Sequence, residues 1–329
     1  MVEECFDIFD GTSRPVKGRP RSEIYTGSGS QYSVLEGRCE DLIKELDDSS
    51  IHAIICDPPY AVSMNKDWDK ALPSADIWNE CNRVLKPGGH LLFFGQPTMM
   101  AATFKIMEET EFEFRDMFIW CYQGTHPKGY KTSDEAYRSR IRNVYNPIFV
   151  YRKKLDGNEE SNWKNHRTNL FNINDTRMTY KGDHRSIVRK FEDTGKKHLQ
   201  SEDGENNTFK NLDRKGWVPD ARGSIPTNVI YCPRATTVER TIDGRVVNKH
   251  ETLKPVALMA YLVRLVTNSP EQIVLDIYCG SGTTGLACRR NGRAFLGFDL
   301  NPEWVMVAKE RIKYAFALDE VYFNKVKQV

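Results

Sequence analysis

Short apolar runs recur through the first half of the chain, and each is bounded by residues that favour turns. Residues 51–56 read IHAIIC and stop at Asp57-Pro-Pro, and residues 90–95 read HLLFFG. Similar runs occupy residues 116–121 and 147–151. Continuous apolar runs of this length are typical of strands covered on both faces, so the pattern predicts four buried strands.

Between the first two of these strands the apolar positions change to helical spacing. Ser74 can cap a helix that Pro87-Gly-Gly ends. The apolar face of this helix would consist of Ile77, Cys81, Val84 and Leu85.

The same alternation of strand and helix returns late in the chain, where Pro255 can open a helix through Leu258, Leu262 and Leu265. It is followed by a strand at 273–277, a glycine-rich turn, a helix at 283–291, a strand at 294–298 and a helix at 301–314. Alternating strands and helices predict an α/β fold with a mostly parallel, twisted sheet covered on both faces.

The sequence changes character between about residue 155 and residue 222. This stretch is polar and rich in Asn, Lys and Asp, with few apolar clusters. Such a composition predicts an insertion or a small mobile domain rather than part of the core.

The composition disfavours several classes of protein. No run of eighteen apolar residues occurs, and residues 1–20 lack the basic start and apolar stretch of a signal peptide, so no membrane association is expected. The eight cysteines are scattered without a Cys-x-x-Cys pair. This spacing predicts buried thiols in a reducing, cytoplasmic environment and no metal site.

The net charge of +2 is uninformative, but residues 164–190 carry seven basic residues against two acidic ones. Either a solvated surface or contact with phosphate groups explains such a stretch. The candidate phosphate contacts are Lys164, Arg167, Arg177, Lys181 and Arg185.

Asp57-Pro58-Pro59-Tyr60 directly follows the first predicted strand. A plain turn is one interpretation, because Asp and Pro are ordinary turn residues. The same residues also suit chemistry on an aromatic amino group, whose lone pair is delocalised into its ring. The Asp57 carboxylate can accept one hydrogen bond from that group and the Pro58 carbonyl another. Tyr60 offers a face for stacking, which is worth about 1–3 kcal/mol per base.

Two further motifs suit a bound cofactor. Residues 276–284 read DIYCGSGTT, in which Gly280 and Gly282 let a ligand approach the backbone, and Asp299 suits a grip on ribose hydroxyls. The turn alone could equally serve a nucleotide phosphate or no ligand, but the Gly-x-x-x-x-Gly-Lys-Ser/Thr motif is absent from the sequence. In the other motif Thr252 and Lys254 lie close enough together in the sequence to reach one ligand. They also precede a predicted helix, so a plain helix start explains them as well.

Together and in this order the three motifs resemble the β arrangement of the amino-methyltransferases that act on DNA. The likeness covers about residues 33–152 and 245–316, including the framework stretch RVLKPGGHLLFF at 83–94. It implies a Rossmann-like, circularly permuted methyltransferase fold that uses S-adenosylmethionine. The implied parts are an N-terminal extension at 1–32, a catalytic half at 33–154, a target-recognition insertion at 155–225 and a cofactor-binding half at 226–329.

The resemblance also implies roles for individual residues. The target amino group would be held by Asp57, Pro58, Pro59 and Tyr60. The cofactor would be bound by Asp276, Tyr278, Gly280, Ser281, Gly282, Thr283 and Asp299, with Thr252 and Lys254 at its methionine end. Double-stranded DNA is the implied partner of the basic residues named above, and because several members of the family dimerise, a homodimer stays open.

Three positions depart from the family's usual pattern. Arg38 stands where Asp is common after Gly37, Glu251 replaces a usual Pro, and Ile277-Tyr278 replaces a usual Pro-Phe. None of these changes removes a group that the chemistry requires.

Four functions remain in consideration. Methylation of adenine N6 is favoured, because Asp at the first position of the loop is typical of adenine enzymes and Ser of enzymes that act on cytosine N4. RNA, a protein amide or a small molecule is the third class of substrate, although relatives that act on glutamine side chains prefer Asn at this position. The fourth function is a DNA-binding module that has lost its activity, against which stands the presence of every required residue.

Overall fold

The computed structural model describes residues 32–62, 69–122, 143–166, 168, 171–173, 176 and 225–328. Its strands are β1 (Tyr32–Glu36), β2 (Ile51–Cys56), β3 (Leu85–Phe94), β4 (Glu113–Cys121), β5 (Tyr145–Arg152), β6 (Val229–Tyr231), β7 (Ile273–Asp276), β8 (Ala294–Asp299) and β9 (Lys327–Gln328). Its α-helices are α1 (Cys39–Leu42), α2 (Ala75–Val84), α3 (Met100–Met107), α4 (Glu159–His166), α5 (Thr237–Thr241), α6 (Val256–Val266), α7 (Thr283–Arg290) and α8 (Pro302–Lys313).

These strands form one nine-stranded sheet in the order β1-β8-β7-β2-β3-β5-β4-β6-β9. The first five are parallel to one another, and β5 then runs antiparallel to both β3 and β4. The β6 strand is parallel to β4 and antiparallel to β9. The predicted α/β fold with a mostly parallel sheet is therefore confirmed.

The apolar runs predicted the central strands because these strands are covered on both faces. One buried cluster includes almost all of α6 together with residues of β2, β3 and α7. The opposite face of the sheet packs against residues of α1, α2 and α3. In β2 the side chains alternate between the two clusters, with Ala53 and Ile55 in the first and Ile54 and Cys56 in the second.

The boundary between α2 and β3 differs from the sequence prediction. Leu85 begins the strand instead of ending the helix, because it pairs with Ile51 of β2. The next pair in the register is Ala53 with His90, so Pro87-Gly-Gly is accommodated as an irregularity of the strand. Ser74 does occupy the N-cap of α2, but its side chain makes no capping hydrogen bond.

Two short strands at one end of the sheet had no signal in the hydrophobic pattern. β6 has three residues and β9 has two, and both are recognisable only by their partners in the sheet. β1 was also left unassigned; it is five residues long and pairs in parallel with β8. Short strands of this kind depend on tertiary pairing more than on local propensity.

The chain divides into two compact units, one formed by residues 1–172 and 227–329 and the other by residues 173–226. Almost all of the second unit lies outside the described residues. The four-part division expected from the sequence therefore stays a prediction. In the described part of the chain no helix has the length and apolar character needed to cross a membrane.

Candidate active site

Two of the sequence motifs meet at one edge of the sheet. The Asp57 turn follows β2, and the glycine-rich turn follows β7, its parallel neighbour, with Ile54 paired to Leu275. Asp299 ends β8, which lies on the other side of β7. Because the carboxyl ends of neighbouring parallel strands lie together, the strand ends that carry Asp57, Asp276 and Asp299 lie side by side, at the edge where α/β sheets commonly bind ligands.

Asp57 is held by two hydrogen-bond donors. The hydroxyl of Tyr60 donates to Oδ1, and the ammonium of Lys254 donates to Oδ2 in an ion pair. The side chain of Asp57 is 23% exposed and that of Lys254 is 11% exposed. The Lys254 ammonium also lies 4.9 Å from the ring centre of Phe94. Lys254 therefore lies against the carboxylate, although the resemblance assigns it to the cofactor.

Tyr60 connects the Asp57 carboxylate to the main chain of its turn. Its backbone N–H donates to Oδ1 of Asp69 at 2.5 Å. Burial and the neighbouring charge of Asp57 raise the pKa of the Tyr60 phenol well above its usual range. The phenol therefore stays protonated at neutral pH and keeps donating to Asp57.

A cleft opens beside this turn. Pro58, Pro59 and Tyr60 form one wall, and aromatic residues of α2 and β3 form another. The remaining lining residues include Leu72, Pro73, Gly95, Gln96, Met99, Thr103 and Ile106. A cleft with flat, mostly apolar walls suits a planar ring with few polar groups.

The glycine-rich turn needs its glycines. Gly280 has φ +51°, and its N–H donates to Oδ2 of Asp299 at 2.7 Å. Gly282 has φ +77°, and a Cβ there would lie 2.7 Å from the Cβ of Ala308. The turn therefore packs directly on α8, and any side chain at Gly282 would force the two apart.

Asp276 lies beneath the same turn and is buried. The hydroxyl of Thr284 donates to one carboxylate oxygen, and the backbone N–H of Tyr278 donates to the other at 3.1 Å. Burial raises the pKa of Asp276 to about 7, and the nearby charges of Asp57 and Asp299 act in the same direction. Burial also raises the pKa of Asp299. Asp276 and Asp299 therefore both resist ionisation.

We expect Asp276 to make the protein less stable as the pH rises from about 4 to about 7. An unfolded chain loses this proton near the ordinary pKa of 3.8, whereas the folded protein keeps it until about 7. Between these values the folded state binds more protons, so raising the pH favours unfolding; below 3.8 both states are protonated and the group adds no pH dependence. The melting temperature of Asp276→Asn minus that of the wild type should therefore grow across this window. A difference that stays flat with pH would contradict this expectation.

Arg311 was not predicted from the sequence, yet it supports the cofactor turn from below. It is completely buried on α8. One terminal nitrogen donates to the carbonyl of Ser281 at 2.5 Å and to the hydroxyls of Ser281 and Thr283, and the other donates to the carbonyl of Glu239. Ser281 and Thr283 were predicted to bind the cofactor. The Ser281 carbonyl and both hydroxyls instead accept hydrogen bonds from Arg311. The available signal in the sequence was the position of Arg311, which falls at helical spacing from Val305 and Ala308 on the buried face of a helix that is otherwise rich in charged residues.

His250 packs against the same glycine-rich turn. A Cβ on Gly280 would lie 2.9 Å from Nε2 of His250, so the imidazole packs against the turn. Burial is the main cause that lowers the pKa of His250 to about 4, which keeps the ring neutral. Its buried Nδ1 has no hydrogen-bond partner among the described residues. Thr252, predicted beside it, is exposed.

The remaining sequence candidates lie away from this edge of the sheet or outside the described residues. Lys164 is exposed on α4 and forms an ion pair with Glu160. Arg167, Arg177, Lys181 and Arg185 lie outside the described residues. Arg38 is exposed and pairs with Glu40 and Asp41, so it faces its own helix. Contact of the basic residues with nucleic acid stays a prediction.

Comparison with known proteins gives consistent matches. A family model described as DNA methylase matches residues 51–310. The type II methyltransferase M1.MboII of Moraxella bovis is 26% identical over 87% of this chain and 96% of its own length. The DNA adenine methyltransferase YhdJ of Escherichia coli is 23% identical over 90% and 87%. Among solved structures, the cytosine-N4-specific PvuII DNA methyltransferase matches with a TM-score of 0.56 at 16% identity, covering 90% of this chain and 94% of the other. This likeness concerns the fold.

Proposed function

The chain belongs to the family of DNA methylases that modify N6 of adenine or N4 of cytosine, and from this premise we propose that it methylates N6 of adenine in double-stranded DNA. One observation carries the proposal: the Asp57 carboxylate, at the end of β2, lies beside the glycine-rich turn that follows β7. An amino group bound at the first motif would therefore lie next to a ligand bound at the second.

The family takes its methyl group from S-adenosylmethionine, whose positively charged sulfur carries an activated methyl. The residues at the second motif fit such a molecule. Asp299, which accepts the Gly280 N–H, presents a carboxylate at the end of β8, and the Nδ1 of His250, which has no partner among the described residues, offers a further polar contact. We propose that Asp299 binds the ribose of the cofactor and that His250 and Tyr278 line the adjacent side of the cofactor site.

In the proposed reaction Asp57 accepts a hydrogen bond from the amino group of the base. A carboxylate has about four lone-pair sites, so Asp57 can accept this bond while it keeps those from Tyr60 and Lys254. The bond withdraws the nitrogen lone pair from the aromatic ring and turns it towards the methyl group. The Pro58 carbonyl is the proposed second acceptor. No covalent bond to the protein is required, because the methyl carbon would bond to the nitrogen as its bond to the sulfonium breaks, leaving a neutral thioether and releasing the amino proton to solvent. Positioning and electrostatics would carry the rate.

The base must leave the double helix to reach Asp57, because its amino group is buried in the stack. Flipping costs a few kcal/mol. The cleft beside Pro58, Pro59 and Tyr60 has flat apolar walls, and stacking of the base against them can offset part of this cost. We propose this cleft as the place where the flipped base enters.

We expect N6-methyladenine as the product. The preference for adenine over cytosine rests on Asp57 at the first position of the loop, and both specificities occur among proteins similar to this chain. The test is to express the chain in a host without adenine or cytosine-N4 methylation, digest the DNA to nucleosides and identify the modified one by mass spectrometry. N4-methylcytosine in place of N6-methyladenine would overturn the adenine assignment while leaving the methyltransferase intact.

A further inference from the structure

A second carboxylate, that of Asp69, binds the main chain of the turn that begins at Asp57. Its Oδ1 accepts hydrogen bonds from the consecutive backbone N–H groups of Tyr60 and Ala61, at 2.5 and 2.9 Å. Asp69 is only 3% exposed. Both hydrogen bonds are therefore shielded from water.

The backbone at this point departs from ordinary geometry. Ala61 has φ +57°, in the left-handed region, which costs a residue with a side chain about 1–2 kcal/mol. Two successive N–H groups converge on one oxygen in this conformation, as in the anion-binding nests formed by turns. Since β2 ends at Cys56, the sheet ladder does not fix Tyr60 and Ala61. The Asp69 carboxylate stabilises the turn there.

We infer that Asp69 is a positioning residue for methyl transfer, an inference that rests on the function proposed above. The connection has two steps. Asp69 fixes the backbone of Tyr60, and the Tyr60 hydroxyl donates to Oδ1 of Asp57. Asp69 thereby sets the direction of the carboxylate that receives the amino group without touching the base itself. A displacement of about 1 Å at such a site can lower a rate about 100-fold.

The first experiment compares Asp69→Ala, Asp69→Asn and the control Asp76→Asn, an exposed carboxylate in the first turn of α2. We expect Asp69→Ala to lower kcat about 10- to 100-fold while the Kd for S-adenosylmethionine changes less than about two-fold. Asp69→Asn retains an oxygen that can accept both N–H groups, so it should recover most of kcat. The control should match the wild type. A normal kcat in folded Asp69→Ala, or equal losses in kcat and in cofactor affinity, would overturn the inference.

A second measurement does not depend on activity. 3-Fluorotyrosine introduced at position 60 reports the hydrogen bond to Asp57 through its fluorine NMR resonance. Asp69→Ala should shift this resonance in the same direction as Asp57→Asn does, and Asp76→Asn should leave it in place. An unshifted resonance in Asp69→Ala would contradict the inference. If the wild type methylates no DNA, the proposed function fails, whereas this shift still decides whether Asp69 holds the Tyr60 hydroxyl against Asp57. Should the alanine variant not fold, Asp69→Asn and Asp69→Ser provide the same comparison.

Discussion

Replacing Asp57 with alanine should reduce methyl transfer at least about 100-fold while the protein still binds S-adenosylmethionine. The carboxylate lies at the end of β2, and the proposed cofactor site is built from the ends of β7 and β8. Removing the carboxylate therefore takes away the acceptor for the amino group without altering the glycine-rich turn. Single-turnover methylation of duplex DNA and calorimetric binding of the cofactor measure the two effects separately.

The ion pair with Lys254 requires a control for this variant. Asp57→Ala leaves the Lys254 ammonium, which is 11% exposed, without its carboxylate, and an unpaired charge can destabilise the site by itself. The double variant Asp57→Ala/Lys254→Met removes both charges. If the double variant regained transfer, the loss in the single variant would come from charge imbalance, and the proposed role of Asp57 would be wrong. Asp41→Ala, on the exposed surface of α1, should retain full activity.

Replacing Arg311 with methionine should lower the free energy of unfolding by about 2–6 kcal/mol. The guanidinium donates to the buried backbone carbonyls of Ser281 and Glu239, and each carbonyl left without a partner costs about 1–3 kcal/mol. This loss is a large fraction of the 5–15 kcal/mol that typically stabilises a folded protein. Equilibrium unfolding in urea measures it.

A neighbouring cation provides the matched control for Arg311. Lys313 also lies on α8, but its side chain is 54% exposed, so Lys313→Met should change the stability by less than about 0.5 kcal/mol. Arg311→Lys keeps the charge without the forked geometry and should fall between the wild type and the methionine variant. Equal stability of Arg311→Met and Lys313→Met would show that the buried guanidinium does not hold the turn.

The sequence was informative where local pattern and local structure coincide. The run IHAIIC predicted β2 with its observed ends, because an apolar strand that stops at Asp-Pro-Pro has little freedom. The two motifs could be expected to meet because each followed a predicted parallel strand. The boundary at Leu85 was wrong, because pairing with Ile51 outweighs the helical spacing of the apolar positions.

The contacts that complete the site join residues far apart in the chain, and no local pattern specifies them. Lys254 could be placed ahead of a helix, but the partner of a long, freely rotating side chain depends on the whole fold. Asp69 reads as an ordinary loop acid, and Arg311 as one polar position in a helix. Only the folded backbone brings Asp69 to the N–H groups of Tyr60 and Ala61.

The segment at 173–226 interrupts the larger unit, and the chain is fastened on both sides of the interruption. Before it, the N–H of Asn172 donates to the carbonyl of Leu265 on α6 at 2.7 Å. After it, the carbonyl of Asn228 accepts from the N–H of Ile119 on β4, also at 2.7 Å. Because the chain is hydrogen-bonded to the sheet and to α6 at these two points, we expect a change in the length of the stretch between them to leave the residues around Asp57 in place.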